Sequence, residues 1–241
     1  MVNITIYLLC YNEEVLLPKA LEHYKARFKN AKFVIIDNES TDSSVEIALR
    51  EGCEIYTWKT KNIANIILNK ELKDSIWKEA TTDWVIIADM DEWLCITEEQ
   101  LAAENEKGVT LITTRGVQIA ADSQSLMLDD IDLHGLRDGF YDKNYNKIIC
   151  FKRSEITEIN YTRGAHIAYP KGRVQCPKVS YIMKHMNYLG LPWYSAKMKA
   201  RYKRTDYNRN KLRCSGHYTS NDGEIQKKWA GVLKGKIINL I

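Results

Sequence analysis

The sequence predicts an α/β protein: a mostly parallel central sheet with helices on both faces. Two observations predict this fold class. Apolar, β-branched runs alternate with amphipathic stretches through the first 115 residues, and the connections between them are short. A third observation places the chemistry. Polar, acid-rich loops at 10–14, 37–42 and 89–92 each follow a strand-like run, and open α/β sheets bind ligands beyond the carboxyl ends of their strands.

The elements follow in order. Residues 3–9 (Asn-Ile-Thr-Ile-Tyr-Leu-Leu) read as a buried strand. In the loop after it, Asn12 is a good N-cap, and Glu13 and Glu14 suit the positive end of a helix. Leu17, Leu21, Tyr24 and Phe28 recur at helical spacing, so a helix is expected over 14–29. Lys32 to Ile36 is a second strand, ending in a turn-rich loop. A short helix over 43–51 stops at Gly52, and Glu54 to Thr57 is a third strand. Residues 62–80 are expected to be largely helical. Trp84 to Ala88 is a fourth strand running into Asp89-Met90-Asp91-Glu92-Trp93. Thr97 and Gln100 form a capping box for the next helix, and Val109 to Thr114 is another strand. Beyond 115 strands are expected near 116–121 and 147–152, with helices after 192.

Composition excludes several classes. The 241 residues are 45% hydrophobic and 27% charged, with only 12 Gly and 4 Pro, so global disorder and fibrous repeats are ruled out. A chain this long buries roughly 70–75% of its unfolded surface, enough to fold without a disulfide or metal staple. The apolar runs are strand-sized, and no bilayer span is expected. No basic region followed by a long apolar stretch opens the chain, so no signal peptide is expected. Six cysteines without a CxxC pattern fit reduced thiols in the cytoplasm.

Charge divides the chain. Residues 171–241 hold 16 Lys and Arg against three acids, Asp206, Asp222 and Glu224, a net of +13, and residues 1–170 carry −9. A basic tail beside an acidic body suggests an anionic partner. A solvated basic helix is the other reading.

Asp89-x-Asp91 is the most informative motif. Two carboxylates two residues apart, where the chain bends at a strand end, can both reach one hard cation such as Mg²⁺ or Mn²⁺, which shares phosphate ligands. A helix-capping acidic cluster is the plainer alternative. Gly-rich phosphate loops are absent, as is a GxSxG nucleophile motif, which argues against dinucleotide enzymes, P-loop nucleotidases and hydrolases of that type. Of the histidines, His23 reads as a surface residue and His134 as part of a polar turn. His166, His185 or His217 could complete a metal site with Asp91; each could equally be a structural hydrogen-bonding residue.

Taken together, these motifs resemble family 2 glycosyltransferases of the GT-A fold. The resemblance lies in Cys10-Tyr11-Asn12-Glu13-Glu14, Asp37-Asn38-Glu39-Ser40-Thr41-Asp42 and Asp89-Met90-Asp91-Glu92-Trp93. It continues through Ile159-Asn160-Tyr161, Gly164-Ala165-His166, His185-Met186-Asn187-Tyr188-Leu189-Gly190, Tyr194, Tyr202, Arg204 and Gly216-His217-Tyr218. It implies a sugar transferase using a nucleotide-activated donor, a UDP-sugar, and Mn²⁺ or Mg²⁺. By the family pattern Tyr11, Asn12, Glu13, Asp37, Glu39 and Asp89 hold the nucleotide, and Asp89, Asp91 and His185 hold the metal. Residues 1–218 form one catalytic domain, with a nucleotide-binding half (1–115) and an acceptor-side half (116–218); residues 219–241 form a basic amphipathic segment.

The resemblance also implies inversion, which needs a general base on the acceptor hydroxyl. The Glu-Asp pair of many relatives is missing here. Glu155, Glu158, His166 and Asp138 are chemically able, and Glu158 and His166 are the expected candidates. Lys184, Lys197, Arg201, Lys203 and Arg204 could bind the diphosphate or an anionic acceptor. The acceptor is expected to be a glycan, lipid-linked or protein-linked hydroxyl, reached from the cytoplasm. The segment 225–241 could lie on a membrane or pack as a terminal helix. A nucleic-acid or anionic-surface binder driven by the basic tail, and a nucleotidyltransferase, are the alternatives; no nucleic-acid partner is expected.

Overall fold

The structure, a computed structural model, describes residues 2–204, 218–233 and 238–239. Its first half winds β1 (Ile4–Cys10), α1 (Leu16–Lys25), β2 (Lys32–Asp37), α2 (Ser44–Arg50), β3 (Glu54–Thr57), α3 (Ile66–Ser75) and β4 (Trp84–Asp89) into a parallel sheet of order β3-β2-β1-β4. Period-two alternation decides which face each side chain covers. On β1, Ile4, Ile6 and Leu8 pack with Leu17, Leu21, Tyr24 and Phe28 on one face, while Tyr7 packs with Leu72, Ile76 and Trp77 on the other. The predicted mostly parallel sheet, covered on both faces, is therefore present.

After β4 the chain makes a tight turn into β5 (Glu92–Leu94), then α4 (Glu98–Glu106), whose Thr97–Gln100 capping box forms as expected. The single strand expected over 109–114 divides. β6 (Leu111–Ile112) stays with the first sheet, and after Thr113 the chain enters β7 (Thr114–Ala120) in a second one. β8 (Asp138–Tyr141) follows, then β9 (Cys150–Lys152), which joins the first sheet antiparallel to β4 and beside β6. β10 (Ile156–Glu158) and β11 (Lys171–Gly172) pair as a small ribbon. β12 (Tyr181–Tyr188) lies parallel to β7 and antiparallel to β5. α5 (Leu191–Arg204) and α6 (Asp222–Leu233) pack together, and β13 (Ile238–Asn239) pairs with β8, giving the second sheet the order β13-β8-β7-β12-β5. The sequence pattern did not reveal this second sheet. Its strands are separated in the chain by other helices and strands and by the polar stretch 121–137, so no local pattern shows the pairing.

Several local expectations change. Asn12 does not cap α1, which starts after Val15. Its φ of 51° is a left-handed conformation that asparagine tolerates. His23 is buried, not superficial, and donates from Nε2 to the Leu94 carbonyl at 2.9 Å. His134 lies against Glu22 at 3.1 Å and stacks on Trp93. The helix expected over 62–80 begins only at Ile66 and ends in a single 3₁₀ turn at Ile76–Glu79.

The C-terminal segment follows the packed-helix alternative as far as it is described. Ile225 and Trp229 of α6 are buried against Tyr194 and Met198 of α5, each burial stabilising by roughly 1.5–3 kcal/mol. Among the described residues no helix is long and apolar enough to cross a membrane. His217, Cys214, Lys234 and Lys236 lie outside the described residues.

Candidate active site

The carboxyl ends of β1, β2 and β4 open on one cleft of about 510 Å³, closed on its far side by α5. The acidic turn forms its floor. Glu92 Oε2 accepts the Asp89 N–H at 3.1 Å, which closes the turn between β4 and β5. The Glu92 carboxylate is buried and is met by the buried Lys147 ammonium. Lys73, from α3, donates to Asp89 Oδ1 at 2.8 Å, and Lys147 stands 3.9 Å from Asp89 Oδ2. Buried charges persist only when paired, and here every acid of the turn has a cation. Burial pushes the Asp89 carboxyl up, but Lys73 and Lys147 outweigh it and bring it down to about 2. On Lys147 the same balance runs the other way: burial opposes its charge, and Glu92 and Asp89 overcome this and raise its pKa.

Asp91 sits deeper, 2% exposed. Its Oδ2 faces three groups: Lys197 Nζ at 2.5 Å, Arg201 Nη2 at 3.2 Å and His185 Nε2 at 3.4 Å. Burial would lift its pKa; Lys197, His185 and Arg201 hold it well below the usual carboxylate range. The histidine is oriented by a relay. Gln118 donates through Nε2 to Asp142 at 3.1 Å, which turns its Oε1 toward His185 Nδ1 at 2.7 Å. An amide oxygen only accepts, so Nδ1 carries the hydrogen and Nε2 is left facing Asp91. Tyr145 stacks on the imidazole at 4.1 Å. Gly116 permits this, since a Cβ there would lie 2.4 Å from the Tyr145 carbonyl.

This arrangement allows a test for a divalent ion. One carboxylate oxygen and one imidazole nitrogen face each other at a spacing that one cation bridges, and the histidine has the outer hydrogen bond common to metal-bound imidazole. The pair Asp91–His185 fits such an ion, with water and phosphate supplying further oxygens. In this arrangement Asp89 faces Lys73 and Lys147 instead. Among the described residues no cluster of three or more such ligands is gathered. Of the expected set Asp89, Asp91 and His185, the structure brings Asp91 and His185 face to face, while Asp89 lines the cleft paired with Lys73 and Lys147.

The upper wall carries Tyr11, Asn12, Glu13 and Asn38. Asn12 ties two loops: its Oδ1 accepts the Thr41 N–H at 2.7 Å, and Ser40 Oγ accepts the Asn12 N–H at 3.0 Å. Burial lifts the Glu13 carboxyl to about 7; Lys197 pulls it down and Asp91 pushes it up. Arg204 lies over the Tyr11 ring, with its guanidinium carbon 3.3 Å from the ring centroid, and donates to Asn38 Oδ1. Two expected nucleotide ligands are turned elsewhere. Asp37 is buried and accepts the Ser40 N–H at 3.2 Å, and Glu39 accepts the Thr60 and Asn62 N–H groups at 2.9 and 2.7 Å. Both shape the loops, and the neighbouring Asn38 lines the cleft in their place.

The base candidates separate as well. Glu158 is half-exposed, pairs with Lys78 at 2.9 Å and does not line the cleft, so the expectation for it fails on position. Glu155 pairs with Arg173 at 2.8 Å. His166 does line the cleft. Its Nδ1 donates to the Asn144 carbonyl at 2.8 Å, so Nε2 carries the lone pair. Burial lowers its pKa, with Lys147 acting in the same direction, and so favours the neutral imidazole. Of the basic residues, Lys197, Arg201 and Arg204 enter the cleft, while Lys184 turns away to the Leu136 carbonyl at 2.7 Å. Lys73, Lys147, Glu92, Asn38 and Tyr145 were not foreseen. Glu92 and Asn38 sit in loops already marked as polar, whereas no local pattern signals Lys73, Lys147 or Tyr145.

A parallel β3-β2-β1-β4 sheet whose strand ends meet an acidic turn, flanked by a second mixed sheet, defines an open α/β fold with a ligand-sized cleft at the carboxyl ends of its strands. Residues 5–98 match the model of the family described as glycosyl transferase family 2, a stretch that includes both aspartates of the turn. Protein RfbJ of Shigella flexneri is 29% identical over 65 residues, 27% of this chain and 50% of that protein. The uncharacterized glycosyltransferase Rv0539 of Mycobacterium tuberculosis is 29% identical over 118 residues, 48% of this chain and 50% of that protein. The matches thus span about half the length of these curated relatives. Among solved structures, S. aureus TarS 1-349 is 12% identical with a TM-score of 0.47, covering 95% of this chain and 70% of that one. The mannosyltransferase PcManGT of Pyrobaculum calidifontis, in complex with GDP-Man and Mn²⁺, is 13% identical with a TM-score of 0.43, again covering 95% and 70%.

Proposed function

We propose that the protein transfers a sugar from a nucleoside-diphosphate donor, a UDP-sugar, to an acceptor hydroxyl on a glycan, lipid-linked or protein-linked substrate, with inversion at the anomeric carbon. One observation carries this reading: at the strand ends, Asp91 Oδ2 and His185 Nε2 face each other beside the cations of α5. The match of residues 5–98 to the family 2 model supports it. Three cations of the basic tail, Lys197, Arg201 and Arg204, line a cleft of small-molecule size, which favours a compact anionic ligand over an extended polyanion.

Tyr11, Asn38 and Arg204 suit the nucleoside, through ring stacking and polar contacts. Lys197 and Arg201 suit the diphosphate, through charge-assisted bonds. Asp91 and His185 would hold Mn²⁺ or Mg²⁺, which neutralises the leaving diphosphate. Asp89, neutralised by Lys73 and Lys147, keeps the turn rigid and orients the donor. His166, neutral with its Nε2 lone pair available, takes the proton from the acceptor hydroxyl; its place on the cleft wall supports this role over Glu158. Buried reduced thiols, Cys10, Cys53 and Cys150, suit a cytoplasmic setting.

The test is calorimetric titration of UDP with and without Mn²⁺, together with donor hydrolysis. The expected result is Mn²⁺-dependent UDP binding that Asp91→Asn weakens at least about 100-fold, by loss of one charged metal ligand. Unchanged binding and turnover in Asp91→Asn, with the fold intact by circular dichroism, would refute the reading.

A further inference from the structure

The carboxylate best placed to hold a divalent ion is already neutralised. Asp91 Oδ2 takes Lys197 Nζ at 2.5 Å and Arg201 Nη2 at 3.2 Å, and this same oxygen faces His185 Nε2 at 3.4 Å. A cation joining Asp91 to His185 must contend with the two that are there. Like charges at such distances repel strongly where water is scarce, so a bare dication cannot sit on Asp91 while Lys197 stays on it.

The two aspartates of the turn differ in how firmly their cations are held. The lysines on Asp89 are 3% exposed. Those on Asp91 border open cleft: Lys197 is 10% and Arg201 35% exposed. Both project from α5 one helical turn apart. The helix is anchored separately, by Tyr194 and Met198 packing against Ile225 and Trp229 of α6. Their long side chains can therefore change partner while the backbone stays in place.

From these contacts we infer that Lys197 and Arg201 are exchangeable counter-ions of Asp91. This rests on the donor-site reading above and adds a mechanism of coupling to it. In the donor-free protein they hold the carboxylate. When a nucleoside diphosphate arrives with its metal ion, the two side chains transfer to the diphosphate oxygens and release Asp91 Oδ2. The negative charge brought by the diphosphate stabilises both the displaced side chains and the ion. A metal ion without nucleotide offers no such partner and is kept out. Metal and nucleotide therefore bind cooperatively, and the coupling resides in α5.

Manganese electron paramagnetic resonance reads this directly, because free hexaaqua Mn²⁺ gives a signal that bound Mn²⁺ loses. The full chain is titrated with Mn²⁺ alone and with saturating UDP. The wild type is expected to retain Mn²⁺ weakly alone and far more tightly with UDP. Lys197→Met keeps the aliphatic stem and removes the charge. It should bind Mn²⁺ alone at least about tenfold more tightly than wild type, the scale set by losing one close positive charge. The gain conferred by UDP should shrink correspondingly, as linkage between the two ligands demands. Arg201→Gln should act in the same direction and decides the matter if Lys197→Met fails to fold; Lys197→Arg should preserve the coupling. If the folded Lys197→Met and Arg201→Gln proteins bind Mn²⁺ alone no better than wild type, the exchange is wrong even where UDP and Mn²⁺ bind together. Failure of the wild type to bind UDP at all would instead overturn the donor-site reading, and the exchange with it.

Discussion

A single hydrogen bond assigns the chemistry of His166. A carbonyl can only accept, so the Asn144 oxygen fixes the proton on Nδ1 and leaves Nε2 as the basic atom. Burial lowers the pKa of the ring, so the neutral, proton-accepting form persists to a lower pH than the ordinary histidine value of ~6.5. Turnover is therefore expected to be flat above neutrality and to fall on the acid side, with its midpoint below about 6.5. His166→Gln should lower kcat by roughly 10²–10⁴, the usual contribution of a general base, and abolish that acid limb. UDP affinity, read by calorimetry, should stay at the wild-type level. A variant with normal kcat and an unaltered profile would remove His166 from the reaction. Sequence reasoning reached His166 only as one of two candidates, because its bond to Asn144 spans 22 positions that include two short strands.

At the scale of elements, legibility follows locality. α4 was readable because its capping box lies within four residues, and β1, β2 and β4 because their apolar runs are continuous. Gly52 ended α2 as expected, with φ of 77°. The second sheet was not readable, since β7 pairs with β12 (Tyr181 opposite Thr114) with β8, β9, β10 and β11 intervening in the chain, and β8 is only four residues long. One glycine in that sheet controls the site. Gly116 on β7 accepts the Asp142 N–H, and its own N–H is bonded to Asn146 Oδ1 at 2.8 Å, so the 142–146 turn lies directly on it. A Cβ would lie 2.4 Å from the backbone of Tyr145, the residue that stacks on His185. Gly116→Ala should cost about 1–3 kcal/mol of stability, the range for overpacking a close contact, as read by urea unfolding. It should also weaken Mn²⁺–UDP binding, because Tyr145 no longer braces the imidazole. Wild-type stability and wild-type binding in this variant would mean that the turn yields freely and does not position His185.

Across the whole molecule, the site is assembled from contacts that no local pattern encodes. Lys197 meets Asp91 across 106 positions and Arg204 meets Asn38 across 166; the basic tail was visible as composition, but not which carboxylates it would reach. The same long-range packing creates a pH dependence remote from the cleft. His23, on α1, is 3% exposed and is wedged against Tyr24 and Trp93, with His134 also stacked on the indole. Burial lowers its pKa from 6.5 to about 3, and the nearby Arg27, His134 and Lys184 add to that, against the bond to the Leu94 carbonyl. Between pH 6.5 and pH 3 the unfolded chain therefore binds a proton at His23 that the folded protein refuses. Stability must fall as pH falls through this window, by about 1.4 kcal/mol per unit from this residue, or roughly 2 kcal/mol between pH 6.5 and 5. Carboxylates paired in the folded state, Asp89 among them, lose their contribution only at lower pH. The histidine component is isolated by comparing wild type with His23→Gln in urea unfolding at pH 7.5, 6 and 5. The variant should be less stable at pH 7.5, through lost packing, yet show a shallower decline toward pH 5, so that the two proteins converge on acidification. Parallel declines would show that His23 is protonated within the fold and that its burial carries no pH-dependent cost.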